Sequence, residues 1–345
     1  MDALLHLANQ LADQPGTPLI APVQGRVAYV VSHGQSYASN GYAVRTQGIA
    51  QALNQHGLET LCFVRPGRPW ELGAAKDTVG PEAVIKGVRY IHSRWPEDTS
   101  PASDQEHLKA SVARFIELFR VYRPAAVLAG SNWIVGLPAW IAAKRLGLPF
   151  YNEVRGFWEL SRKAREPGYA NTPAFTAEAE RDTFVARQAL KVFTLNAPMK
   201  GELEKRGIEA ERIGIVPNGV SQLPDIKPAD PALKAKLGIE ESDKVIGYVG
   251  SFNAYEGLDT LMEACQRLIE QGEKIKLLLV GDDQPVTQAA GAHKALADKP
   301  WLIQVGRVPH EQVADYYALL GAVVIPRKKL PVCELVPPLK AAEAL

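Results

Sequence analysis

Short unbroken apolar runs alternate along this chain with longer stretches in which apolar residues recur at helical spacing. In the first part, residues 26–32 (RVAYVVS), 60–65, 88–92, 125–131, 149–154, 192–196 and 213–216 have the length and content of buried strands. In the second part the same holds for residues 244–250 (KVIGYVG), 276–280 (KLLLV), 302–306 and 322–325. Helical stripes fall between them: Thr46, Ile49 and Leu53, ended by Gly57; Leu108, Val112, Phe115, Ile116 and Phe119 within residues 107–123; and Leu258, Leu261, Cys265 and Leu268. Residues 134–146, 176–190, 197–206 and a segment through Tyr316 and Leu319 also read as helices, as does a short stretch near the start. Buried strands alternating with helices predict an α/β protein whose parallel sheets are covered on both faces.

The punctuation divides the chain. Pro217-Asn218-Gly219-Val220 is a turn with a mechanism, since Pro fixes φ while Asn and Gly accept the left-handed region. After it, residues 221–231 are rich in Pro and Asp and show no periodicity, as a linker does. The expected organisation is a lead-in over 1–25, a first domain over 26–217, a linker over 218–231 and a second domain over 232–345. A length of 345 residues agrees with two domains at roughly 150 residues each.

Composition narrows the class further. With 46% hydrophobic and 22% charged residues the chain can bury proper cores and is neither disordered nor fibrous. A net charge of +1 gives no reason to expect nucleic acid as a partner. Cys62, Cys265 and Cys333 are odd in number and lack metal-ligand spacing, which fits reduced thiols in a cytoplasmic protein. Asp2 and His6 interrupt any signal-peptide pattern, and no run approaches the roughly 20 apolar residues of a membrane span.

Candidate chemistry gathers at loops that follow strands. Residues 33–42 (HGQSYASNGY) make a glycine-bearing loop between a strand and a helix, although the dinucleotide-binding fingerprint is absent. Glu153, Arg155, Gly156 and Glu159 leave the end of another strand, where charged residues are placed either for ligand contact or as a solvated ion-pair cluster. Residues 327–345 (RKKLPVCELVPPLKAAEAL) follow the last apolar run with basic residues, a proline turn and a helical start, a pattern that presents anions to amides and cations. Arg327 to Lys329 read equally as a solvated basic loop. Glu343 sits about one turn into the helix, where a carboxylate can accept both hydroxyls of a ribose, and Glu334 lies on the turn leading in.

Several of these stretches resemble the retaining glycosyltransferases of family 4. The similar pieces are Asn40-Gly41-Tyr42-Ala43 with Arg45-Thr46, the Glu-Val-Arg-Gly turn at 153–156, Pro217-Asn218-Gly219-Val220, residues 248–257, and Val336-Pro337-Pro338-Leu339-Lys340 with Glu343. The resemblance implies a GT-B fold: α/β, two Rossmann-like domains with parallel sheets facing across a cleft. Family members continue beyond the helix on which this chain stops, so the second domain is expected to be incomplete and the chain truncated. The implied donor-binding residues are Gly250, Ser251, Gly281, Arg307, Val308, Glu334, Leu335, Val336 and Glu343. Arg327, Lys329 and Lys340 are the implied cations that stabilise the leaving diphosphate, and Asn40, Gly41, Tyr42, Arg155 and Glu159 face the acceptor. The chain departs from the family at Ser251 and Glu256, where many members carry an arginine and, five residues on, a lysine.

The function so implied is transfer of a sugar from a nucleotide-diphosphate sugar, UDP-linked before GDP-linked, to a saccharide or lipid-linked acceptor with retention, in polysaccharide or glycoconjugate synthesis. No metal, no further cofactor and no protein nucleophile are expected, because the leaving phosphate takes the acceptor's proton in front-face attack. Nucleic acid is not an expected partner, and the expected location is the cytoplasm, with peripheral association at the inner face of the membrane as an extension. Two other readings belong to the same fold: a nucleotide-sugar 2-epimerase, and a non-catalytic nucleotide-sugar-binding or scaffold protein.

Overall fold

A computed structural model describes residues 2–74, 79–220, 227–282, 286, 299–309 and 312–343 of the chain. The chain divides into two compact units, Met1–Lys163 with Gly168–Asn218 and Ala164–Pro167 with Gly219–Leu345. Each unit is built on its own sheet.

The first sheet contains β1 (Arg26–Val31), β2 (Glu59–Val64), β3 (Glu82–Ile85), β4 (Val88–Ile91), β5 (Ala126–Gly130), β6 (Phe150–Glu153), β7 (Val192–Thr194) and β8 (Ile213–Ile215). Their order is β3-β4-β2-β1-β5-β6-β7-β8. Strand β1 pairs in parallel with β2, Tyr29 opposite Cys62, and with β5, Tyr29 opposite Leu128. The order reverses at β1, so the loop after it sits at the switch point where α/β sheets receive ligands. Strand β3 runs antiparallel to β4, which corrects the expectation of a purely parallel sheet. It escapes a reading by apolar runs because it lies at the edge and buries none of its residues fully.

Around this sheet lie α1 (Ala3–Ala12), α2 (Gly41–Gln55), α3 (Asp104–Tyr122), α4 (Trp133–Arg145), α5 (Trp158–Arg165), α6 (Pro173–Gln188) and α7 (Ala197–Lys205). The Asp2 carboxylate caps α1 by accepting from the Leu4 amide at 2.7 Å, and Leu4, Leu5, Ala8 and Ala12 are buried. Helix α1 packs on α4, so the lead-in residues are part of the first unit's core. In α3 the buried residues include the whole predicted stripe of Leu108, Val112, Phe115, Ile116 and Phe119.

The second sheet contains β9 (Lys244–Val249), β10 (Ile275–Val280), β11 (Leu302–Val305) and β12 (Ala322–Val323), all parallel, in the order β11-β10-β9-β12. Along β10, Leu277 and Leu279 enter one core cluster with Tyr248, Leu258 and Met262, while Leu278 and Val280 enter another with Val245 and Leu319. Period-two alternation between two apolar clusters is what a sheet covered on both faces requires. Helices α8 (Pro231–Lys236), α9 (Leu258–Glu270), α10 (Val313–Tyr317), α11 (Pro331–Leu335) and α12 (Lys340–Glu343) complete the described part.

Two expectations change here. The run at 322–325 forms only a two-residue strand, with Ala322 exposed at the sheet edge. An unexpected short helix, Pro331–Leu335, precedes the proline turn, and the expected helical start follows it as Lys340–Glu343. Pro337 and Pro338 lie between them, and each proline removes a donor and pushes the preceding residue out of the helical region. Residues 221–226 of the expected linker lie outside the described residues.

Candidate active site

At the end of the first sheet a buried charge network organises the loops. The Glu153 carboxylate accepts from Arg45 Nε at 2.7 Å and from Arg155 Nε at 2.9 Å, and it also accepts from the Tyr29 hydroxyl. Arg155 is only 5% exposed, and its remaining donors go to Thr46 Oγ1 at 2.9 Å, the Tyr42 carbonyl at 3.2 Å and the Tyr29 hydroxyl. Burial pulls the Glu153 pKa upward, but the charges of Arg155 and Arg45 outweigh it and hold the carboxyl below its ordinary value. Arg155, expected to face an acceptor, therefore has its guanidinium committed inside the unit, where it holds β1 and the first turns of α2 against the end of β6.

The other residues expected on this side are distributed between structural and exposed roles. Asn40 caps α2, its Oδ1 accepting from the Ala43 amide at 3.0 Å, and Gly41 is exposed at the first position of the helix. Tyr42 stacks on Trp158 with ring centroids 5.2 Å apart, leaving an aromatic surface beside the loop. Glu159 is buried: its Oε1 pairs with Arg206 at 2.7 Å, and its Oε2 has no partner among the described residues. Nearby, Asp182 accepts from the Trp133 amide at 2.6 Å and so caps α4, whose own Asn132 makes no side-chain cap. Burial and the charge of Glu159 push the Asp182 carboxyl up to about 8.

A second set of side chains was not singled out from the sequence. Directly after β2, Arg65 Nη2 and Arg68 Nε both approach Glu71 Oε2, at 3.3 and 3.5 Å, while Trp95 Nε1 donates to Oε1 at 2.6 Å. Two guanidiniums thus share one carboxylate that an indole already engages, which leaves this trio with an excess of positive charge at the C-terminal end of β2. His33 registers it: burial, then Arg68, Arg65 and Arg155, push its pKa down to about 4, so the ring is neutral at neutral pH. The visible signal was Arg65-Pro66-Gly67-Arg68, two cations on a turn immediately after an apolar strand.

In the second unit the order reverses at β9, which places the switch point at the loop after it. Gly250 ends β9 with φ 144° and Gly281 ends β10 with φ 134°, both in the region that favours glycine. A Cβ on Gly281 would lie 2.5 Å from the Gly250 carbonyl oxygen, so the strand ends close on bare backbone. Ser251 follows, exposed. Arg307 and Val308 follow β11 at the same edge, Arg307 exposed and Val308 packed on the core.

Glu256 and the predicted cations converge near this loop. Arg327 Nη2 lies 3.0 Å from Glu256 Oε1, and Lys340 Nζ lies 2.8 Å from Oε2 and 2.6 Å from the Tyr248 hydroxyl. Arg327 Nη1 also donates to the Val336 carbonyl at 2.7 Å, which fixes the turn between α11 and α12. Burial raises the Glu256 pKa, but the Arg327 hydrogen bonds and the Lys340 charge override it and hold the carboxyl below its ordinary value. Lys329 stands apart, exposed, while its neighbour Lys328 pairs with Asp259 at 2.6 Å. Glu334 is exposed on α11, Leu335 and Val336 are half-buried, and Glu343 closes α12 with its side chain outside the described residues. Among the described residues no group of three or more His, Cys, Asp or Glu gathers to hold a metal ion.

Two Rossmann-like units, each with its loops gathered at the switch point of its sheet, define the class of the protein: an α/β protein of the GT-B fold. The chain belongs to the glycosyltransferases with a 4-like domain: residues 40–219 match the description "Glycosyl transferase 4-like domain", and residues 230–344 match "Glycosyl transferases group 1". Similar curated proteins include the D-inositol 3-phosphate glycosyltransferase of Xylanimonas cellulosilytica, 23% identical over 94% of this chain and 74% of its own length. That of Streptomyces scabiei is 23% identical over 94% of this chain and 70% of its own length. Among solved structures, sucrose-phosphate synthase from Thermosynechococcus elongatus superposes with a TM-score of 0.71 at 18% identity, over 92% of this chain and 78% of its own. The catalytic domain of starch synthase IV from Arabidopsis thaliana, bound to ADP and acarbose, gives a TM-score of 0.63 at 13% identity, over 89% of this chain and 79% of its own. The protein is a glycosyltransferase, and the epimerase and scaffold readings fall away with that membership.

Proposed function

We propose that this glycosyltransferase takes a sugar from a nucleoside-diphosphate sugar, a UDP-sugar first, and transfers it with retention to a sugar or polyol that carries an anionic group. On the donor side, the observation that carries the reading is the convergence of Arg327 and Lys340 beside the glycine-closed strand ends of the second sheet. Cations fixed beside bare backbone suit a diphosphate whose negative charge grows as it leaves. Glu343, on α12, is the residue we assign to the ribose.

On the acceptor side, the excess charge of Arg65 and Arg68 over Glu71 favours an acceptor bearing a phosphate or carboxylate. The curated relatives named for D-inositol 3-phosphate point to the same chemistry. The three cysteines are free, in keeping with the cytoplasm as the site of reaction. No helix among the described residues is long and apolar enough to cross a membrane, so work on a lipid-linked phosphate would require peripheral association with its inner face.

The test is acceptor-dependent nucleotide release. The chain is incubated with UDP-, GDP- and ADP-sugars, each with a polyol or sugar and with its phosphorylated counterpart, D-inositol 3-phosphate included. Release from a UDP-sugar with the phosphorylated acceptor alone, and a product anomer matching the donor by NMR, is the expected result. Equal release with the neutral acceptor would defeat the anionic assignment, and an inverted anomer would defeat retention.

A further inference from the structure

Glu256 occupies the loop position at which a cation for the diphosphate was expected, and the structure shows what the carboxylate does there. It is 3% exposed, in a single helical turn, Ala254–Glu256, that Gly257 ends at φ 76°. Each of its oxygens holds a cation: Oε1 takes Arg327 Nη2 at 3.0 Å, and Oε2 takes Lys340 Nζ at 2.8 Å with Arg327 Nε at 3.3 Å.

Lys340 is thereby drawn from α12 to the end of β9. Its Nζ lies 4.5 Å from the Tyr248 ring centroid and bonds the Tyr248 hydroxyl at 2.6 Å. A Cβ on Gly250 would stand 3.0 Å from Lys340 Cε and 3.4 Å from Nζ, so the ammonium passes directly over the glycine that ends the strand. The loop supplies the acid and the later helix supplies the base, yet a cation still reaches the turn after β9. Two cations meet this one carboxylate.

We propose that Glu256 is a positioning residue for donor binding: it holds Lys340 and Arg327 as the pair that meets the diphosphate. The Glu256–Lys340 pair would then be a loop cation and its counter-charge in exchanged order. The proposal rests on the donor reading given above.

Opposite signs of effect separate it from the alternative of a bystander carboxylate. If Glu256 merely lowers the positive charge, Glu256→Gln strengthens binding of an anion. If it positions the cations, Glu256→Gln weakens binding although a negative charge has been removed. Calorimetry of the full chain with UDP, GDP and ADP selects the tightest diphosphate, and the matching nucleoside serves as the phosphate-free control. No binding of any diphosphate would defeat the donor reading itself.

Given binding, Glu256→Gln is expected to weaken the diphosphate about ten-fold, the equivalent of roughly 1.4 kcal/mol, and to leave the nucleoside unchanged. Lys340→Glu is expected to weaken it further, and the double variant Glu256→Lys/Lys340→Glu to recover to within roughly three-fold of the parent, because the pair is restored in reverse. Circular dichroism and thermal melting confirm that each variant is folded. Tighter or unchanged diphosphate binding in folded Glu256→Gln overturns the proposal, as does a folded double variant that binds no better than Lys340→Glu. If Glu256→Gln does not fold, the double variant alone decides.

Discussion

Arg45 Nε lies 2.7 Å from Glu153 Oε1, and the same guanidinium donates to the carbonyls of Val216 at 2.7 Å and Pro217 at 2.9 Å. A helix, a central strand end and the Pro217-Asn218 turn are thus tied through one ion pair with side chains only 7% and 3% exposed. Removing one partner of a buried pair leaves an uncompensated charge, which is where such pairs exert most of their effect. Glu153→Gln strands both Arg45 and Arg155, and a loss of about 3 to 5 kcal/mol in denaturant-induced unfolding is expected. The carboxyl titrates in the folded chain below its ordinary value of 4.5, so its contribution is present above about pH 4.5 and is lost as the pH falls through the folded value.

Asp182 titrates in the opposite direction. Its folded value near 8 exceeds the ordinary 3.8, so the folded chain binds this proton more tightly than the unfolded one. Its contribution is fully present below about pH 3.8 and is lost as the pH rises towards 8. Between these limits, Asp182 contributes a fall in stability of up to about 1.4 kcal/mol per pH unit. Asp182→Asn keeps an acceptor for the Trp133 amide and removes the titration. Its unfolding free energy is expected to depend less on pH over that window and to exceed the parent's at pH 8, as read from denaturant titrations at several pH values.

Arg68 tests the acceptor assignment apart from the donor site. Among the described residues its ion pair is with Glu71, at 3.5 Å. Arg68→Ala is expected to raise KM for an anionic acceptor roughly 10- to 100-fold, the scale of one hydrogen-bonded charge, and to leave diphosphate binding unchanged. Steady-state kinetics beside calorimetry read the two effects, and an unchanged acceptor KM would remove Arg68 from the site.

Glu343→Ala is expected to weaken nucleoside binding by roughly 1 to 3 kcal/mol, the scale of losing hydrogen bonds to a charged group. Calorimetry with the nucleoside isolates the ribose from the diphosphate. Unchanged affinity in a folded variant would sink the ribose assignment.

Much of the fold was legible because local pattern and tertiary role agree. The stripe from Leu108 to Phe119 and the apolar runs of β1, β9 and β10 are buried as their periodicity demands. The exceptions have physical causes. Strand β3 lies at an edge with half its residues exposed, and its apolar run, residues 83–85, is too short to read as a strand. Helix Pro331–Leu335 was missed because it is only five residues long, ahead of the proline turn that separates it from Lys340–Glu343. Arg155 could not be assigned by spacing, since burial beside Tyr29 and Glu153 depends on three strands brought together.

Taken alone, the amino-acid order determined the α/β class, the two-part organisation and the resemblance that membership in the glycosyltransferases with a 4-like domain bears out, because strand runs, helical stripes and turn residues act over short distances. Tertiary structure alone decided which charges are paired. Glu256 and Lys340 are 84 positions apart, as Arg45 and Glu153 are 108, and only folding sets their oxygens and nitrogens within 3 Å of each other. An ion pair is a matter of distance and burial, and neither can be read from residue type along the chain.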